Sequence, residues 1–241
     1  MTTGEPVSPR FEEESVIGKL LQSSPEFAAF YEAERGKIPF AVHWELDKSL
    51  PRGIDGRSTE RQPGRHAILL KRIPAVDRDA MLVAHELQHL ILIAEDFPRT
   101  GATAEHQNLS SSLNSMVQDP IVNARLHTYG FDLLKGYLEE VKKTKRQLKR
   151  YKTAPAKDHE RMLWIFNYVS KMLDWKVVSA HAQVGEDKFK RWFDRRYPDL
   201  AREAQGVLDL VQQIGYDTPD NHRRLFRETI RRYGLARYIV F

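Results

Sequence analysis

The amino-acid sequence predicts an α+β fold, mainly α, with a small sheet near the start and a helical C-terminal part. Two observations lead there. Runs rich in β-branched and aromatic residues fall only in the first third, at Ile38–Leu46 and His66–Arg72, while the rest is helical in pattern and punctuated by proline. The composition is that of a globular chain, with 41% hydrophobic and 29% charged residues over 241 positions. That balance argues against disorder, collagen or a membrane bundle, and the length suffices for a sizeable core.

Residues 1–10 read as a loose polar leader. From Phe11 to about Arg35 the apolar spacing is helical, and Pro25 should divide that stretch in two. Ile38–Leu46 is the first strand, and Asp47–Gly64, polar and rich in Gly and Pro, reads as a long loop. After the strand His66–Arg72 comes a helix with Asp77 as N-cap, free of Gly and Pro to about Glu95. Pro98 and Gly101 mark a loop over Phe97–Gln107, and a helix over Leu109–Leu126 should be interrupted by Pro120. Further helices are expected at Phe131–Lys152, Asp158–His181, Glu186–Tyr197, Pro198–Ile214 and Pro219–Tyr233, before a short apolar end, Tyr238–Phe241. By domain, this gives a helical segment at 1–36, a core at 37–130 and a helical part at 131–241, either separate or continuous.

Cysteine is absent, which excludes disulfides, thiolate catalysis and Cys-type metal sites. Any metal must be held by His, Asp, Glu and water. One motif fits that requirement: His85-Glu86-Leu87-Gln88-His89, an H-E-x-x-H set in an apolar frame. On a helix, residues four apart share a face, so both imidazoles reach one ion. Zinc lowers the pKa of a bound water to roughly 7, and Glu86 stands where it can act as general base. The bland reading is a buried helix whose two histidines find carboxylate or backbone partners, at a desolvation cost that needs a purpose.

Strand, H-E-x-x-H helix, then a further helix with a third ligand: this order over residues 38–130 resembles the zincin superfamily of metallopeptidases. The resemblance implies a zincin-like small sheet packed on the H-E-x-x-H helix, one Zn2+ ion, and hydrolysis of a peptide bond in a protein or peptide substrate. Leu92 and Glu95 stand where the metzincin branch needs Gly and His, so that branch fails. The gluzincin branch places its third ligand on a later helix, commonly as E-x-x-x-D. The nearest match is Asp119-Pro-Ile-Val-Asn123, with Asp119 as ligand and Asn123 holding a histidine from the second shell. Asp119 also reads as a helix N-cap with Pro120 in the first turn. Glu105 and His106 are rival third ligands. For the oxyanion donor that zincins draw from Tyr or His, His127 and Tyr129 are nearest, with His181 and His222 further on. His127 also reads as a helix C-terminal residue ahead of Gly130.

The net charge is +5, from 38 Lys and Arg against 33 Asp and Glu. This permits nucleic-acid contact without requiring it. The densest basic run is Lys142–Lys152, read first as a solvated helix end and second as a phosphate-contacting surface. No apolar run approaches the ~20 residues of a membrane span, and no secretory signal is evident, so a cytoplasmic location is expected. A zincin-fold regulator with one dedicated partner or lost activity is the other class that fits. Oligomeric state and cleavage preference are not encoded in these features.

Overall fold

The structure, a computed structural model, describes residues 9–51, 54–62, 64–182, 184–185 and 187–241. The leader expected at 1–10 lies outside them up to residue 8, as does Glu186, the expected start of one helix. The fold is α+β and mainly α, with a small mixed sheet. Two compact units emerge. One holds the chain up to Glu95 together with Arg125–Phe131, and the other holds Asp96–Ala124 with Asp132–Phe241.

The first unit begins with β1 (Arg10–Phe11), α1 (Glu13–Ser23) and α2 (Pro25–Glu34). Pro25 divides the helices as expected: it opens α2, and the Ser24 hydroxyl accepts the Phe27 N–H as the cap. Next come β2 (Val42–Leu46), β3 (Gly56–Gln62) and β4 (Arg65–Leu70), in sheet order β1-β2-β4-β3. Strands β2 and β4 run parallel with Trp44 opposite Ile68, and β3 returns antiparallel to β4 with Ser58 opposite Ile68. Ala67, Ile68, Leu69 and Leu70 are all buried, as a central strand covered on both faces requires.

Strand β3 corrects the expected loop over Asp47–Gly64. Its sequence, GRSTERQ, has no apolar residue to announce a strand. The alternation is carried by small groups instead, with Gly56 and Ser58 buried and Arg57 and Glu60 exposed. Gly56 is small for a reason. A Cβ there would meet a Leu70 methyl at 3.0 Å and Leu82 at 3.2 Å, so glycine lets the next helix lie close on the strand.

That helix is α3 (Ala80–Ala94), which packs on β3, β4 and α2. Asp77 is not its N-cap. A single 3-10 turn, Asp77–Asp79, precedes it, and Asp79 is the anchoring acid. The Asp79 carboxylate accepts the Val76 N–H at 3.0 Å and a forked pair from Arg72 at 2.8 and 2.7 Å. Asp77 accepts the Ser23 hydroxyl instead.

The second unit contains a two-stranded ribbon, β5 (Gly101–Ala102) with β6 (Ile239–Val240), and most of α4 (Gln107–His127). It continues with α5 (Leu133–Leu148), α6 (Asp158–His181), α7 (Lys188–Arg196), α8 (Pro198–Ile214) and α9 (Pro219–Arg232). Helix α6 packs on α5 and α8, and α8 on α7 and α9. Helix α4 runs through Pro120 without a break. An internal proline costs about 3 kcal/mol or more. The fully buried Leu113, Met116, Val117, Val122 and Leu126 offset it, at roughly 1.5–3 kcal/mol per large apolar side chain. Asp119 is therefore mid-helix, and the N-cap reading of it fails. Among the described residues, no helix is long and apolar enough to cross a membrane.

Candidate metal centre

Helix α3 carries the motif because its sequence leaves few alternatives. It has neither Gly nor Pro, and Val83, Ala84, Leu87, Leu90, Ile91 and Leu92 are all buried. The polar residues are thereby held in fixed places. Glu86 and His89 are buried, and His85 is half-buried.

The His85 and His89 rings lie 4.7 Å apart at 78° to one another, with their Nε2 atoms 3.0 Å apart. Two lone-pair nitrogens approach this closely only around a shared proton or a shared cation. Zinc–nitrogen bonds of ~2.0–2.1 Å at a tetrahedral angle would set two nitrogens roughly 3.3 Å apart. The observed separation is within a few tenths of an ångström of that, so the pair fits a metal. His85, His89 and Asp119 together offer ligand atoms that all lie within 4.8 Å of one another. This His-His-Asp group could hold a metal ion, and it is the one such group among the described residues.

Glu86 is not a member of the group. Its Oε2 accepts the backbone N–H of Ser58 at 2.6 Å, which ties the carboxylate to β3. Ser58 is the contributor that sequence reasoning missed. A backbone N–H leaves no mark on residue identity, and the only signal was a small residue in a segment read as loop. Gln88 is completely buried, and neither its amide oxygen nor its nitrogen has a hydrogen-bond partner. Such a group is costly to bury.

The other expected residues have different engagements. Asn123 donates from Nδ2 to Asp174 Oδ1 at 2.9 Å, and Asp174 pairs through Oδ2 with Lys171 Nζ at 3.1 Å. Burial pushes the Asp174 carboxyl above its usual range; the Lys171 ammonium opposes the shift and the Asp119 charge adds to it. Tyr129 donates to Glu34 Oε1 at 2.6 Å and meets Phe30 edge-on at 5.5 Å. Burial, then the Glu34 contact, push its phenol up to about 12. His127 occupies the last turn of α4, where its carbonyl accepts the Gly130 N–H at 3.0 Å and Gly130 takes a φ of +92°. Of the rival ligands, Glu105 is exposed, and the His106 ring sits against His159 and Tyr238 at 5.2 and 4.7 Å. His181 is exposed at the end of α6. His222 is fully buried between Phe97 and Phe226, with Nδ1 donating to the Tyr216 carbonyl at 3.2 Å.

No protein-family model, no curated protein and no solved structure matches the chain.

Proposed function

We propose that the chain is a zinc-dependent peptidase, with His85, His89 and Asp119 as the metal ligands. The observation that carries the reading is the 3.0 Å approach of the two imidazole Nε2 atoms beside an anchored carboxylate. A divalent ion, when bound, supplies Lewis-acid activation of water and of the substrate carbonyl.

The chain's own residues supply the rest. Presenting both Nε2 atoms to a cation puts the ring protons on Nδ1, which fixes the tautomer of His85 and His89. Asp119 brings one negative charge to a dication, so the site keeps a net positive charge that favours a developing oxyanion. Glu86 is held through Oε2 by Ser58, and its Oε1 takes the proton from the attacking water. The same carboxyl then returns that proton to the departing amine, and the peptide C–N bond breaks.

Incubation of the full chain with an unstructured protein such as casein tests the reading. Cleavage that disappears on chelation and returns with added zinc supports it. Persistence of cleavage after complete metal removal contradicts it.

A further inference from the structure

Seven basic side chains and no acidic one lie between Lys142 and Lys152. Helix α7 adds Lys188, Lys190, Arg191, Arg195 and Arg196 against a single Asp194. The whole chain carries only +5, so nearly all its excess positive charge is gathered on these two segments. The fold sets them side by side. Lys145 Nζ donates to the Lys188 carbonyl at 3.2 Å and stands 5.5 Å over the Trp192 ring, and Arg196 donates to the Tyr151 carbonyl at 2.8 Å. Among the described residues, Arg146, Lys149, Arg150 and Lys152 form no ion pair. Lys145 titrates below its usual range, chiefly from burial, with Lys149 and Lys188 adding to the shift and Asp187 opposing it.

Beside this charge lies a cleft of about 270 Å³ lined by Gln147, Arg150, Tyr151, Trp164, Asn167 and Phe193, among others. The volume is near the lower end of ligand pockets, roughly 300 Å³, which suits one flat ring system. Tyr151 is 54% exposed, with its ring 5.1 Å from Trp164 at 74°. Its backbone is pinned, because the Tyr151 carbonyl accepts from both Arg196 and the Tyr197 hydroxyl. An exposed aromatic face is therefore held still next to two amide side chains that can both donate and accept.

We infer that the α5–α7 face binds single-stranded nucleic acid, with phosphates along the two basic segments and a base stacked on Tyr151 in the cleft. Cations alone would serve an acidic peptide or an anionic membrane equally well. The aromatic slot with amide donors and acceptors selects a nucleobase, and an unpaired strand is needed because a duplex hides its base faces. The inference is independent of the peptidase reading, so Glu86→Gln should bind as the wild type does.

Fluorescence anisotropy of the full chain with labelled oligothymidylate tests it. Binding should weaken linearly with salt on a log–log plot. Lys149→Glu with Arg150→Glu should weaken binding at least ~10-fold and flatten that slope. Tyr151→Ala should weaken binding roughly 10-fold with the slope unchanged. Tyr151→Phe keeps the stacking face and should bind normally, which separates lost stacking from lost folding. Three results would each overturn the inference: no binding at low salt, normal binding by Tyr151→Ala, or equal affinity for duplex DNA or phosphatidylserine vesicles.

Discussion

The Glu86 carboxylate accepts the Ser58 backbone N–H at 2.6 Å, which joins the H-E-x-x-H helix to the edge strand β3 through the residue assigned as general base. Glu86→Gln tests that assignment cleanly. The amide oxygen still accepts from Ser58, so the strand contact and the fold should survive. The base is lost, so hydrolysis should fall roughly 10²- to 10⁴-fold while the bound metal is retained. Turnover and metal content measured on one preparation decide the matter. Near-normal turnover would refute the role given to Glu86.

Tyr129 bears on the oxyanion donor. Its hydroxyl is engaged with Glu34, so Tyr129→Phe should cost about 1 kcal/mol of stability. Hydrolysis should change little. A large loss of kcat at unchanged Tm would restore Tyr129 as the donor.

The Lys171–Asp174 pair is almost completely enclosed, with side chains 14% and 6% exposed, and Asn123 occupies the second carboxylate oxygen. Removing one partner of a buried pair strands the other charge. Asp174→Ala should therefore destabilise the fold by about 3–5 kcal/mol in urea unfolding. Replacing both residues, as Lys171→Met with Asp174→Leu, should cost clearly less than the single change. Equal costs would mean that the pair is solvated in solution.

Burial of His222 holds its pKa down to about 4, from the 6.5 of a free imidazole, and the hydrogen bond to the Tyr216 carbonyl only partly opposes this. The folded state favours the neutral ring, so this stabilisation is complete above pH 6.5. It is lost as the pH falls from there toward 4, to a total of roughly 3 kcal/mol. Unfolding free energy measured across that window should decline in the wild type. In His222→Leu that part of the decline should vanish, and an identical pH profile would contradict the assignment.

How much of this was legible in the sequence varied with the kind of signal. Helices α6 and α8 have the bounds that their proline and charge punctuation announced, because those signals act locally. Strand β3 was hidden because an edge strand can alternate small and charged groups without one apolar residue. Pro120 misled because local propensity yielded to five buried side chains on the same helix. The Asp77 cap was a near miss, since the neighbouring acid Asp79 has Arg72 within reach and Asp77 does not serve the helix. In the site, the i, i+4 spacing was enough to set His85 against His89. The Ser58 contact comes from the backbone of a distant strand, which no side-chain pattern encodes.

The claim on which the rest stands is that two imidazoles one turn apart hold a cation. Elemental analysis of the purified full chain, dialysed after exposure to zinc, tests it directly. About one zinc per chain is expected for the wild type, falling toward zero in His85→Ala and His89→Ala, and sharply reduced in Asp119→Ala. A metal-free wild-type chain, or zinc content unchanged by loss of both histidines, would contradict the account.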